Sequence, residues 1–270
     1  LLTAWGELPA AAAHEFVLCS PEEMDHRPYG NLRVSCVVSP GSGTLWEQRV
    51  LPKLVASTGA DVLFSPAYTC PFWCKAPIVL VIHDVSFAAH PDWFSWREGL
   101  RRRTLTWLGA RRASRVITES NFSKQEITRH LGIASSQIEV IYLGASALHP
   151  AAAVPSRQAL VLYVGSIFNP RHIPELVEGF SRLAARIPEA RLDIVGDNRT
   201  NPRIEMDQLI SANGVPERVH WRSYIPDADL AALYATASAF VFLSDYEGFG
   251  LTPLEAMAAG IPIVVLDTPI

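Results

Sequence analysis

Short apolar runs rich in Val, Ile and Leu recur along this chain, each separated from the next by a polar or helix-spaced stretch. That alternation limits the possible folds more than any other feature. The runs at residues 78–82, 159–164 and 239–243 are continuous, as strands covered on both faces must be. Others fall at 15–18, 33–38, 62–64, 115–118, 139–141, 191–195, 219–221 and 262–266. Between them, residues 174–186 carry Leu176, Val177, Phe180, Leu183 and Ala184 at helical spacing. Ser123-x-x-Glu126 is spelled as a capping box opening a helix over 124–131, which Gly132 closes. Gly41-Ser42-Gly43-Thr44 lacks the lysine of a phosphate loop and reads as a turn before a helix at 45–54. Strands alternating with helices predict an α/β fold of parallel, doubly wound sheets with helices on both faces.

The pattern is interrupted at residues 149–158, where His149-Pro150, three alanines and Val154-Pro155-Ser156 separate two strands. Two domains are therefore expected, 1–150 and 151–270, facing a cleft with sites at their C-terminal strand ends. The chain starts at Leu1-Leu2 and stops just after a predicted strand, so truncation at both ends is expected.

A 49% hydrophobic and 19% charged composition is that of a globular protein, and a net charge of −4 argues against a nucleic-acid partner. The four cysteines have no metal-site spacing and read as reduced thiols of a cytoplasmic protein. No run is long enough for a signal peptide or a membrane span.

Chemistry concentrates in Ser244-Asp245-Tyr246-Glu247-Gly248-Phe249-Gly250-Leu251-Thr252-Pro253-Leu254-Glu255. A strand ends, a glycine-bearing turn follows, and a helix is expected with Thr252 as N-cap, Pro253 first, and Gly260 past the end. Backbone N–H groups at such a helix start hold phosphate, aided by the helix dipole. Glu247 and Glu255, eight residues apart, are placed to accept hydroxyl hydrogen bonds at two ends of one ligand. Thr252-x-x-Glu255 is also a capping box, which accounts for Glu255 equally well.

This segment resembles the E-x7-E segment of the retaining GT-B glycosyltransferases of family 4, the glycosyl transferase group 1 proteins. Weaker likeness runs through Val81-Ile82-His83-Asp84, Val116-Ile117-Thr118-Glu119-Ser120, Ile141-Tyr142-Leu143-Gly144 and Tyr163-Val164-Gly165. The resemblance implies a GT-B fold of two Rossmann-like domains, with the acceptor mainly on the first and the donor on the second. The first strand and glycine loop of the first domain, and the end of the second, would be missing. It implies that Glu247 contacts the donor sugar, that the amides of Gly248, Phe249, Gly250 and Leu251 contact sugar and phosphate, and that Glu255 holds the ribose.

It also implies a basic pair in the loop containing Gly165, Ser166, Asn169, Arg171 and His172, which offsets charge on the leaving diphosphate. Ser166 stands where many members carry arginine and His172 where they carry lysine. That leaves Arg171 as the best cation, with Asn169 and a protonated His172 assisting. His83, at the end of a strand, would lie beside the reaction centre; a satisfied structural histidine is the plainer alternative. Ser120 and Asn121, at the next strand end, and the turn Gly196-Asp197-Asn198-Arg199 are lesser cleft candidates. Ile225, between Tyr224 and Pro226, falls where the family holds the nucleotide base. No Asp-x-Asp motif stands at a strand end; Asp227-Ala228-Asp229 reads as helix capping. Transfer without a metal or other cofactor is the implied chemistry.

The expected function is transfer of a hexosyl group from a nucleoside diphosphate sugar, GDP-mannose or similar, to a glycan or lipid-linked acceptor. The segments Ser65-Pro66-Ala67-Tyr68 and His83-Asp84-Val85-Ser86-Phe87 lean towards mannosyl- or rhamnosyl-type enzymes of cell-surface polysaccharide or glycolipid assembly. The alternatives are a non-catalytic nucleotide-sugar-binding remnant and another GT-B enzyme such as a nucleotide-sugar epimerase.

Residues 93–115 form the one basic block, with Arg97, Arg101, Arg102, Arg103, Arg111, Arg112 and Arg115 among Trp93, Phe94, Trp96 and Trp107. Leu100, Thr104, Trp107, Leu108 and Arg111 share helical spacing. The simpler expectation is a helix that packs this stripe on the core and solvates its arginines. The alternative is peripheral docking to an anionic membrane surface or a lipid-diphosphate acceptor.

Overall fold

The computed structural model describes residues 1–24, 29–145 and 157–268. Every expected apolar run forms a strand close to its expected limits: β1 (Glu15–Ser20), β2 (Arg33–Val38), β3 (Leu63–Ser65), β4 (Ile78–Val81), β5 (Arg115–Thr118) and β6 (Ile138–Val140). The later ones are β7 (Leu160–Val164), β8 (Arg191–Val195), β9 (Val219–Arg222), β10 (Ala239–Phe242) and β11 (Ile263–Val265). The helices are α1 (Leu2–Gly6), α2 (Gly43–Arg49), α3 (Leu51–Thr58), α4 (Ser86–Ala89) and α5 (Trp96–Arg112). They continue with α6 (Asn121–Leu131), α7 (Ile173–Arg186), α8 (Met206–Ala212), α9 (Asp227–Thr236) and α10 (Leu251–Ala258). The helix expected at 45–54 is two, divided at Val50 just before Pro52, which cannot continue an intrahelical bond.

The chain divides into two compact units, one of residues 1–82, 102–117 and 131–139, the other of 83–101, 118–130 and 140–270. The interruption expected at 149–158 lies almost wholly outside the described residues. In the first unit β1 and β2 pair in parallel, while β3, β4, β5 and β6 lie side by side in that order. Ile78, Leu80, Val116 and Ile138 fill its core, and Trp5 packs at 5.5 Å from Phe16 and 5.7 Å from Phe64.

Helix α5 faces the other way from the simpler expectation. Gly99, Thr106, Gly109 and Ala110 are buried, whereas Leu100, Trp107 and Leu108 are exposed. Gly109 packs closely there: a Cβ added to it would reach van der Waals contact, 3.4 Å from the Leu80 side chain and 3.5 Å from the Cys70 amide. The helix turns its small residues to that side, and the bulky stripe lies outward.

The second unit holds a five-stranded parallel sheet in the order β11-β10-β7-β8-β9. From β7 the chain builds outward to β8 and β9, then returns to the other side of β7 for β10 and β11. The neighbours β7 and β10 therefore flank the switch point, where α/β sheets bind ligands beyond the strands' C-terminal ends. Leu160, Leu162, Tyr163 and Val164 of β7 are buried, as are Leu176, Val177, Phe180 and Ala184 of α7. Each large side chain so buried contributes roughly 1.5–3 kcal/mol.

Candidate active site

Two loops leave the switch point: residues 165–172 after β7, and 243–250 after β10. Gly165 has φ 144°, and a Cβ there would stand 2.7 Å from Arg171 Nη1, so the missing side chain makes room for the guanidinium. Arg171 lies across the opening. Its Nε donates to Glu247 Oε1 at 2.8 Å, its Nη2 lies 2.7 Å from the same oxygen, and its Nη1 donates to the Ser166 carbonyl at 2.6 Å. The guanidinium sits 5.0 Å from the Phe242 ring and 5.5 Å from that of Phe168. Both partners' side chains are 15% exposed.

Burial pulls the Arg171 pKa down, but Glu247 and then Tyr163 outweigh it and hold the group charged. Burial pushes the Glu247 carboxyl up, against Arg171 and Ser244, which pull it back. Ser244 Oγ also donates to Glu247 Oε1, at 2.9 Å. Oε1 thus takes every one of these bonds, and Oε2 is left to accept from a ligand. Nε, Nη1 and Nη2 all take part in these contacts, so the guanidinium is held in one orientation at the opening.

The helix after this loop starts earlier than expected. Gly250, at φ 86°, is the N-cap of α10, so Leu251 is its first residue and Thr252 its second. The left-handed glycine turns the chain into the helix two residues sooner than a threonine cap would, and no side chain caps it. The capping-box account of Glu255 falls with it: its Oε2 accepts from Tyr234 Oη at 3.2 Å, across to α9. Tyr234 is fully buried, and burial, then Glu255, raise its pKa strongly. Gly260, at φ 70°, stands past the helix end as expected.

Segments following β4 and β5 meet the same loop within this unit. His83 Nδ1 pairs with the carboxylate of Glu119, which is 5% exposed, while the His83 side chain is 43% exposed. A carboxylate at Nδ1 fixes the tautomer and the ring orientation. Gly248 comes so close to His83 that a Cβ would overlap the His83 carbonyl oxygen. The Gly248 carbonyl accepts from Ser120 Oγ at 2.5 Å and from Ser123 Oγ at 3.1 Å.

Ser120 also takes the Ser123 N–H at 3.0 Å, so α6 is capped by Ser120 and starts at Asn121. Ser123, expected as the cap, instead bridges the Gly248 and His83 carbonyls. Tyr246 is buried among Phe122, His90 and Trp93, with ring centroids 5.1, 5.3 and 6.1 Å away.

Of the other expected residues, His172 is a left-handed cap of α7 at φ 47°. Its Nε2 lies 2.5 Å from Asp245 Oδ2 and its Nδ1 3.4 Å from Glu175. Burial lowers its pKa, but these two carboxylates prevail and raise it. Asn169 is tied to Asn201 by two 2.8 Å hydrogen bonds and braces the neighbouring loop. Phe249 lies 6.4 Å from Tyr142, Leu251 is exposed and Ile225 is buried. Asp227 and Asp229 sit in the first turn of α9, and among the described residues no cluster of His, Cys, Asp or Glu is arranged to hold a metal.

Sequence reasoning missed Glu119, Ser123, Ser244 and Tyr234 as members of the site. Only a weak signal marked Glu119: an acidic residue directly after an apolar strand.

The family model described as Glycosyltransferase Family 4 matches residues 7–147, and that of Glycosyl transferases group 1 matches 146–270. The chain is 28% identical to the O-antigen chain mannosyltransferase B of Escherichia coli, over 69% of this chain and 52% of that protein. It is 31% identical to a glycogen synthase of Mycobacterium tuberculosis, over 74% of this chain and 48% of that protein. The chain spans about half the length of these curated relatives. Sucrose-phosphate synthase from Thermosynechococcus elongatus has a similar fold (TM-score 0.70, 21% identity, 98% of this chain and 74% of that one). So has Anabaena HepE in complex with UDP-glucose (TM-score 0.65, 20% identity, 88% and 68%).

Proposed function

The chain belongs to glycosyltransferase family 4, and from that premise we propose that it moves a hexosyl group from a nucleoside diphosphate sugar, GDP-mannose or similar, to an acceptor hydroxyl. Anomeric configuration is retained in this proposal, and the acceptor is a glycan or a lipid-linked glycan of cell-surface assembly. Mannosyltransferases among the relatives support the donor class, and a UDP-glucose complex among the structural neighbours supports a nucleoside diphosphate.

One observation carries it: the Arg171–Glu247 pair at the switch point, with Glu247 Oε2 left for a sugar hydroxyl and the start of α10 beside it. As the bond from the sugar's anomeric carbon to the diphosphate breaks, charge grows on the departing oxygen. Arg171, the first N–H groups of α10 and a protonated His172 are the groups that offset it. The acceptor oxygen bonds the anomeric carbon as the diphosphate leaves, and its proton passes to a phosphate oxygen of the leaving group. His83, oriented by Glu119, holds the sugar or the acceptor, and Glu255 holds the ribose. Peripheral contact with a membrane through residues 93–115 completes the proposal.

The test is a thermal-shift panel of nucleoside diphosphate sugars followed by product analysis. Stabilisation by one donor with an α-linked product from an α-linked donor is expected. Donor binding with neither transfer nor hydrolysis would point instead to a non-catalytic binding protein. Release of an epimerised nucleotide sugar would point to an epimerase.

A further inference from the structure

The chain leaves β6 through Ile141, Tyr142 and Leu143, whose large side chains are 52%, 62% and 40% exposed. A run of this kind at a strand end gains nothing in stability by facing water, so its exposure needs another reason. Tyr142 is also held in place. Asn121, the first residue of α6, donates from Nδ2 to the Tyr142 Oη at 2.7 Å, and the Phe249 ring stands 6.4 Å from that of Tyr142, tilted by 43°. Among the described residues the Tyr142 hydroxyl hydrogen and Asn121 Oδ1 have no other partner. An exposed ring therefore carries a hydrogen-bond donor and an acceptor side by side at its rim.

The patch is tied to the donor loop. Ser120, the residue before Asn121, donates to the Gly248 carbonyl at 2.5 Å, and Phe249 follows Gly248 in the chain. Gly248 in turn lies against the His83 carbonyl. All of these residues belong to one compact unit.

We propose that Tyr142, Phe249 and Asn121 form the subsite for the terminal sugar of the acceptor. The Tyr142 ring stacks on the sugar's C–H face, while Asn121 Oδ1 and the Tyr142 hydroxyl bond two neighbouring sugar hydroxyls. The chemistry of the patch selects that ligand. The negative face of a tyrosine ring attracts the polarised C–H bonds of a pyranose, and its hydroxyl supplies the polar handle. None of the three side chains is charged at neutral pH, so the patch has no cation to offer a phosphate. A ring already fixed by Asn121 loses little freedom when the sugar arrives. The proposal rests on the reading that the acceptor is a glycan, and it assigns Tyr142 and Asn121 as residues that decide which sugar is accepted.

The experiment is saturation-transfer difference NMR on the protein with α-linked mannotetraose, and with maltotetraose, without any donor. Saturation concentrated on the C–H protons of one ring of either probe is expected. Tyr142→Ala should raise its Kd about 10-fold and Asn121→Ala about 3-fold. Tyr142→Phe keeps the ring and should lose only about 3-fold. Both side chains are exposed, so the melting curve should be kept; should Tyr142→Ala fail to fold, Asn121→Ala and Tyr142→Phe carry the test. Because no donor is present, binding here and transfer in the donor panel fail separately: transfer with full acceptor affinity in Tyr142→Ala sinks the subsite alone. The proposal is also overturned if neither probe is saturated, if the Kd is equal in Tyr142→Ala and Asn121→Ala, or if Tyr142→Ala instead abolishes a dimer of this chain.

Discussion

Replacing Glu247 by glutamine separates the two tasks assigned to that carboxylate. In the folded chain Arg171 is 15% exposed, and its charge is balanced by Glu247. Glutamine keeps the shape and one acceptor oxygen but leaves the guanidinium without a counter-charge. Breaking a buried pair in this way costs about 3–5 kcal/mol, and the remaining exposure argues for about 3. That corresponds to a fall of roughly 6–12 °C in Tm for a unit of this size. Activity falls for a second reason: the amide presents a donor where Oε2 accepted, and a lost charged hydrogen bond of about 1.5–3 kcal/mol lowers kcat/KM roughly 10–100-fold.

Adding Arg171→Met removes the stranded charge. The double variant should recover about 2 kcal/mol of stability relative to Glu247→Gln while activity stays low. Thermal and urea unfolding of the two single variants and the double one, beside steady-state kinetics, give the whole cycle. Strictly additive stability costs would show that the pair is not coupled. Unchanged kcat/KM in Glu247→Gln would remove the carboxylate from the donor site.

Glu119→Gln should lower kcat/KM about 10–100-fold with little change in Tm, because it loosens the His83 ring without emptying space. An unaltered kcat/KM in the variant would make Glu119 merely structural. Thr252→Ala should change stability by less than about 0.5 kcal/mol, since Gly250 is the cap, whereas a true N-cap would cost about 1. His172 titrates above its ordinary value of 6.5. The stabilisation it gains from Asp245 and Glu175 is therefore full below 6.5 and is lost as pH rises through the raised value. Donor affinity should weaken over the same window and flatten in His172→Gln; an equal slope in that variant would place the titration elsewhere.

The strands, the helical face of α7, the switch from helix to turn at Gly260 and the shared loop of Glu247 and Gly248 were all legible in the sequence. Each follows from spacing over a few residues, where apolar periodicity and glycine's backbone freedom act locally. The likeness in the segment 244–265 extended that to a family. Where local rules competed, spelling alone pointed to the wrong residue. It pointed to Thr252 as the start of α10, but the left-handed backbone at Gly250 begins the helix two residues sooner. It pointed to Ser123 as the cap of α6, but Ser120 caps that helix and Ser123 is drawn to the carbonyls of Gly248 and His83.

The remainder was decided by contacts between residues far apart in the chain. Glu119 meets His83 across 36 residues, and Arg171 meets Glu247 across 76, because the order of strands in each sheet brings their ends together. No periodicity encodes such an approach; it exists only once the sheet closes. The outward face of α5 has the same origin. Its spacing showed a stripe, but it is the side carrying Gly99, Thr106, Gly109 and Ala110 that meets the core, a pairing made by residues far away in the chain such as Leu80 and Cys70. For this protein the sequence by itself determined the elements and the donor loop. Tertiary packing decided which charges are paired, which hydroxyls hold that loop, and which face of a basic helix is left to the outside.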